Sequence, residues 1–266
     1  MTGTLVCYTS VAIAIRETTF ELDAATIVFF RSVVSVFLIT LLVGLSREGF
    51  QQIRTQKIGL HLIRNCVHFV GQFGWVFAIG TIPLAHVFAL EFTVPIWIAL
   101  LAPIFLKEKL TLERFLYVLI GFTGVVIIVQ PFGFDVEPGA LVMLIGALGF
   151  AGGMLGTRKL TQTETPLCIL FYMSVLQLPL STGLMFAIGT YKTPDLVTFG
   201  LIVFVTAGVM AAHYCMARAF KLMDLISIVP VEYFRLPMIA VAGFLLYAEP
   251  IDLPTVIGSA AILAGN

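Results

Sequence analysis

The chain has 266 residues, 59% of them apolar and 11% charged, where a soluble domain carries roughly 45–50% and about 25%. With a mean hydropathy of +1.05, fifteen basic and fifteen acidic side chains cannot cover a 29.0 kDa globule. This excludes an ordinary soluble enzyme, a disordered chain and a secreted disulfide scaffold, and leaves an integral membrane protein. The zero net charge gives no nucleic-acid reading.

Apolar runs long enough to span a bilayer are about 20 residues. In chain order they fall at roughly 2–16, 25–46, 58–80, 84–106, 113–130, 138–157, 166–188, 197–220, 223–247 and 253–266. Short polar or Pro/Gly links part them, among them Lys107-Glu108-Lys109 and Pro131-Phe132-Gly133. The runs do not alternate and exceed barrel-strand length, so helices are the remaining way to satisfy the backbone in lipid. The fold class is all-α integral membrane with ten transmembrane helices, the first and last of which look clipped. The start has neither a basic leader region nor a cleavage site before Arg16-Glu17, so it does not read as a signal peptide.

Ten spans alternate the links between two sides. One side holds Arg47, Arg54, Lys57, Lys107, Lys109, Arg114, Arg158, Lys159, Arg218 and Lys221, the other only Arg16 and Lys192 among many acids. The positive-inside rule then places both termini in the cytoplasm.

A shift of about 141 residues superposes Ala78 on Ala219, Leu84 on Leu225, Glu91 on Glu232, Glu108 on Glu249 and Gly124 on Gly265. The matches follow the span order, five helices against five, so residues 2–130 and 138–266 read as two repeats. An odd number of helices per copy inverts the second copy in the membrane, the pattern of secondary transporters.

Charges at depth narrow the site. Glu91 and Glu232 lie near mid-span and are the matched pair of the repeat, and a charge there costs about 2.5–3.5 kcal/mol on insertion scales. Arg235 follows Glu232 by one turn and can pair with it, either as part of the substrate path or as a fixed structural bridge. Glu91 has no partner on its own helix, and an unpaired buried acid can hold a proton near neutral pH, which opens proton coupling. Gln72 matches His213, Trp75 lies one turn beyond Gln72 and Trp97 two residues after Pro95, giving polar groups with aromatic walls. Arg64 is expected to snorkel to the basic side and Arg31 to reach the acidic links. His68, His86 and Asn65 read as bridges between helices, and His61 as lying at the membrane–water boundary. The cysteines Cys7, Cys66, Cys168 and Cys215 read as buried apolar side chains without metal-ligand spacing. Gly149/Gly153 and Gly152/Gly156 have small-xxx-small spacing; they read as packing, and a homodimer stays open.

Two segments then carry a resemblance. The first is Pro83-Leu84-Ala85-His86 through Pro95, with Leu106-Lys107-Glu108-Lys109-Leu110-Thr111 and Gly121-Phe122-Thr123-Gly124-Val125. The second is Pro230-Val231-Glu232-Tyr233-Phe234-Arg235-Leu236-Pro237, with Gly243 and Glu249-Pro250. They resemble the EamA-type members of the drug/metabolite transporter superfamily, with Lys109 where the family often has Arg and Tyr247-Ala248 where a bacterial subset has Phe-Gly. The resemblance implies a ten-helix bundle with helices 3, 4, 8 and 9 near a central cavity.

The reading is a secondary transporter of the bacterial inner membrane, moving a small amphipathic or zwitterionic metabolite (amino-acid-like, nucleoside-like or vitamin-like) by alternating access. The expected substrate-binding residues are Glu91, Glu232, Arg235, Tyr233, Gln72, His213, Trp75 and Trp97. No catalytic residue, metal ligand or cofactor is expected. No G-x-x-x-x-G-K-[ST], H-E-x-x-H or G-x-S-x-G occurs. A non-transporting membrane receptor or scaffold and an intramembrane enzyme remain the alternatives.

Overall fold

Helix ends in this chain are set by small polar residues beside long apolar runs. Asp23 opens one helix by accepting from the Thr26 amide at 2.9 Å and the Thr26 hydroxyl at 2.8 Å, which satisfies free donors of the first turn. The same carboxylate accepts from the amide and hydroxyl of Thr190 at 3.2 and 3.0 Å. Burial pushes the Asp23 carboxyl up, and these bonds outweigh it and hold it below the usual carboxylate value. Thr165 opens another helix, its hydroxyl accepting from the Cys168 amide at 3.1 Å with Pro166 in the first helical turn.

A computed structural model describes residues 2–106, 112–129, 137–222 and 235–265, without side-chain placement for 2–8, 102–104, 106, 113–115, 118, 129, 220–222 and 235–237. The described elements are α1 (Thr2–Thr19), α2 (Ala24–Leu45), a 3-10 turn (Gly49–Ile53), α3 (Ile58–Thr81), α4 (Leu84–Glu91), α5 (Val94–Leu106), α6 (Leu112–Val129), α7 (Pro138–Leu160), α8 (Pro166–Ile188), α9 (Leu196–Leu222), α10 (Arg235–Tyr247) and α11 (Leu253–Gly265). Six described segments are long and apolar enough to cross a membrane: Ala24–Leu45, Ile58–Thr81, Leu84–Leu101, Pro138–Leu160, Pro166–Ile188 and Leu196–Ala219. Large apolar side chains such as Phe37, Leu45, Phe186 and Leu196 are exposed. That surface suits lipid and not water. The chain is an all-helical, multi-pass membrane protein.

The span expected over 84–106 is made of two helices, parted by a turn at Phe92 and Thr93. Pro95 has no N–H for the Glu91 carbonyl, and the Thr93 hydroxyl bonds back to the Leu90 carbonyl at 2.6 Å. Pro95 then sits second in α5, where first-turn donors are free in any case, so the chain breaks rather than bends. α1 and α7 run three residues past their expected ends at Arg16 and Thr157. Cys66 and Cys215 are exposed on the apolar surface rather than buried, and Cys168 is buried. Residues 107–111, 130–136 and 223–234 lie outside the described residues, and with them Pro230 and the first part of the expected ninth span.

The chain divides into two compact units, Met1–Phe69 with Gly156–Glu232 and Val70–Leu155 with Tyr233–Asn266. The units draw on both expected repeats and do not coincide with them. In the first, α2 packs on α8 and α9, and α1 on α9, around Ile39, Val43, Leu170, Met173 and Met210. The hydroxyls of Ser35 and Ser174 meet at 2.6 Å beside this core.

In the second unit α11 packs on α6 and α4, and α10 on α4. A Cβ at Gly258 would lie 2.6 Å from the Gly124 carbonyl oxygen, and one at Gly265 2.6 Å from the Gly121 nitrogen. The two backbones meet at a distance that only glycine permits. Near Gly74 of α3, a Cβ would lie 2.8 Å from the Val142 carbonyl oxygen and 3.2 Å from Gly146 Cα, so α7 approaches there in the same way.

α10 ends at Ala248, which adopts φ 52°, a left-handed conformation that strains a residue with a Cβ. The Glu249 amide bonds back to the Gly243 carbonyl at 3.2 Å, and the Glu249 carboxylate accepts from the Leu84 amide at 2.7 Å. Pro83, ahead of α4, supplies no side-chain cap, so Glu249 satisfies that helix end and its dipole. We predict that Ala248→Gly stabilises the purified protein by about 1 kcal/mol, because glycine at such a helix terminus carries no Cβ penalty. A thermal melt in detergent checks this, and a lower melting temperature would contradict it.

Candidate functional site

Polar residues recur at helical spacing on α3: His61, Arg64, Asn65 and His68. Positions i, i+3, i+4 and i+7 share one face, and in the first unit this face is buried. Arg64 is 3% exposed and Arg31 on α2 is 6% exposed. Arg64 Nε donates to Thr157 Oγ1 at 3.0 Å and Nη1 to Asn65 Oδ1 at 2.7 Å. A Cβ at Gly156 would lie 2.8 Å from Arg64 Cγ, so that glycine makes room for the arginine stem. Asn65 Nδ2 donates to the His61 carbonyl at 2.8 Å and the Tyr172 carbonyl at 3.4 Å.

His68 Nδ1 accepts from Gln177 Nε2 at 3.0 Å. The His68 ring lies edge-on to His213 of α9, centroids 5.2 Å apart. The fields of Arg31 and Arg64 both reach His68 and His213.

Arg31 Nε is buried without a hydrogen-bond partner. Among the described residues, Lys192 pairs with Glu21 at 3.5 Å, His86 Nε2 lies 3.8 Å from Asp252 Oδ1, and no acidic side chain pairs with Arg31 or Arg64. The expectation that Arg64 snorkels to water and that Arg31 meets the acidic links is therefore corrected. Both guanidinium groups stay inside the protein. Among the described residues, two permanent cations and two imidazoles lie together with no acidic side chain in ion-pair contact with either arginine, an arrangement suited to receive negative charge.

The second unit holds the other described candidates. Trp75 Nε1 donates to Glu91 Oε2 at 2.8 Å, and the mostly buried Trp75 ring lies edge-on to Phe88 at 6.2 Å. Glu91 is the last residue of α4, immediately before the break. Gln72 is half-buried one turn before Trp75. Trp97 packs edge-on to Phe122 at 5.1 Å and against Val94, Ala147 and Ala151, and its Nε1 is buried without a partner. His86 Nε2 meets Thr255 Oγ1 at 2.6 Å, linking α4 to α11.

The expected residues thus divide. Trp75 and Glu91 come together, His213 joins an arginine–histidine cluster in the other unit, and Gln72 lies in the unit opposite its repeat partner His213. Glu232 and Tyr233 lie outside the described residues, as does the side chain of Arg235, which opens α10. The bridging roles read for His68, His86 and Asn65 hold in the bonds above. His61, expected at the membrane–water boundary, is 0% exposed and packs on Tyr172 at 4.4 Å between ring centroids. The sequence reading sent Arg31 and Arg64 outward and did not single out Gln177; the 61/64/65/68 stripe was the signal for a buried Arg64.

The EamA-like transporter family matches twice, over residues 1–130 and 137–266. A riboflavin transporter of Brucella anthropi is 30% identical over 226 residues, which is 84% of this chain and 80% of that one. An S-adenosylmethionine uptake transporter of Rickettsia bellii is 25% identical over 215 residues, 81% of this chain and 73% of that one. A solved crystal structure shares the fold with TM-score 0.69 and 16% identity, covering 98% of this chain and 92% of that one. The apolar helices, the buried polar clusters and these matches agree: the chain belongs to the EamA-like transporter family and is a transporter, not an enzyme.

Proposed function

We propose that the protein moves a small amphipathic metabolite, bearing an acidic group and a flat ring, across the bacterial plasma membrane. The movement is alternating access between two inverted halves of five helices, residues 2–130 and 138–266, with both termini in the cytoplasm. The double family match and the loop charges support that arrangement. The observation that carries the substrate class is that Arg31 and Arg64 are buried and, among the described residues, have no acidic partner.

In this reading Arg31, Arg64, His68, Gln177 and His213 hold the acidic end. Within the second unit, Trp75, Gln72 and Trp97 are proposed as further substrate contacts, and Glu232, Tyr233 and Arg235 are proposed on the sequence alone. Glu91 is the acid to which we assign the coupling of transport to the proton gradient. Riboflavin and S-adenosylmethionine, the substrates named for the two relatives, each join a nitrogen heterocycle to a polar chain, and the second also carries a carboxylate.

Uptake into proteoliposomes tests the reading with matched pairs: riboflavin 5′-phosphate against riboflavin, and S-adenosylmethionine against its decarboxylated form. The expected result is saturable uptake of at least one acidic member, about tenfold above its acid-free counterpart, the discrimination that one charge-assisted contact supplies. Saturable flux of neither pair, or preference for the acid-free members, would overturn it.

A further inference from the structure

We propose that His61, Glu164 and Cys168 form a site for a divalent transition-metal ion of the zinc type, apart from the arginine–histidine cluster. The three come from the first turn of α3, the link before α8 and the first turn of α8. Their donor atoms, one imidazole nitrogen, one carboxylate oxygen and one sulfur, lie within 4.8 Å of one another, and all three residues are buried. Donors around a tetrahedral zinc, at about 2.0–2.3 Å from it, stand about 3.3–3.8 Å apart, so a small side-chain movement closes the set.

The second observation is His61 itself. Its side chain is 0% exposed and neither ring nitrogen has a hydrogen-bond partner. The ring is held against Tyr172, where water does not reach it. A buried imidazole with both nitrogens unmet lacks a ligand.

The neighbours are arranged as a metal's outer shell would be. Thr55 Oγ1 donates to Glu164 Oε1 at 2.8 Å and orients the carboxylate. Cys168 Sγ donates to Glu164 Oε2 at 3.3 Å, while Thr165 fixes the Cys168 backbone. The adjacent Arg64 guanidinium is engaged by Thr157 and Asn65. On binding, the thiol proton leaves to water, one proton per ion. The thiolate and carboxylate then balance the two positive charges, and the neutral imidazole completes three protein ligands. A sulfur and a nitrogen donor select zinc or cobalt over magnesium or calcium. Three protein ligands leave a fourth position for water. The ion would tie the start of α3 to the start of α8.

The test uses the purified, metal-stripped full chain and cobalt(II) as a visible probe. The expected result is one equivalent bound with a sulfur-to-cobalt charge-transfer band, displaced by zinc. The band persists in Cys7→Ala/Cys66→Ala/Cys215→Ala, which leaves Cys168 as the one thiol, and disappears in Cys168→Ala. His61→Gln weakens binding at least about tenfold, the usual order for losing a first ligand or its support. X-ray absorption of the zinc-loaded wild type keeps the proposal falsifiable if a variant fails to fold, with one sulfur expected at about 2.3 Å and nitrogen or oxygen at about 2.0–2.1 Å. No band in the wild type, a band that survives Cys168→Ala, or a zinc shell without sulfur would each overturn the site.

Discussion

Arg31→Gln is expected to abolish uptake and, in the ligand-free protein, to raise the melting temperature. The Arg31 side chain is 6% exposed, its Nε has no partner, and no acid pairs with it among the described residues. An uncompensated buried charge destabilises the fold by several kcal/mol even after relaxation. Glutamine keeps much of the length and removes the charge. A net gain of about 1 kcal/mol shifts the melt by about 2–4 °C in a chain of this size. Uptake should fall about 100-fold or more if the guanidinium holds a substrate acid by charge-assisted bonds.

Arg64→Gln provides the contrast. It breaks bonds to Thr157 and Asn65 and should lower the melting temperature as well as the flux. Opposite signs of stability change at two neighbouring arginines would mark Arg31 as a residue retained for function at the expense of stability. A lower melting temperature with normal uptake in Arg31→Gln would make it a structural residue.

Glu91→Gln is expected to leave the melt nearly unchanged, cut uptake at least about tenfold and remove its dependence on a proton gradient. The amide oxygen can still accept from Trp75 Nε1, whose bond to Glu91 Oε2 is 2.8 Å in the wild type. What glutamine cannot do is change its charge. Glu91→Leu should behave differently, because it leaves the mostly buried Trp75 without its acceptor, a loss of about 1–3 kcal/mol. Uptake by Glu91→Gln that keeps both its rate and its gradient dependence would remove Glu91 from the coupling step.

Helix positions were largely legible because capping residues and apolar runs are local. The runs read at 25–46 and 166–188 are α2 (Ala24–Leu45) and α8 (Pro166–Ile188), closed at their starts by the Asp23 and Thr165 caps. The break after Glu91 was half legible: Pro95 was visible, but a bend and a new helix differ only in where the first free turn begins. The buried arginines were misread because depth in a span was taken as a guide to where a long side chain points. Gly156 leaves room for the Arg64 stem, and Thr157, far away in sequence, turns its guanidinium inward. The same limit applies to His61, which stands about a hundred residues from Glu164 and Cys168 in the sequence and meets them where the starts of α3 and α8 come together. Trp75 and Glu91, only one helix link apart, were expected together and touch.

The glycine contact between α6 and α11 also bears on how the protein is made. α6 leaves the ribosome first, with Gly121 and Gly124 uncovered, and its partner follows only after residues 130–252. At about 5–20 residues per second that interval is about 6–25 s. During it a strip of helix shaped to meet another backbone stands open to lipid or to any other small-residue helix in the bilayer. The second unit is therefore completed last, and slowing synthesis just before Leu253 should increase mispairing and degradation of newly made chains.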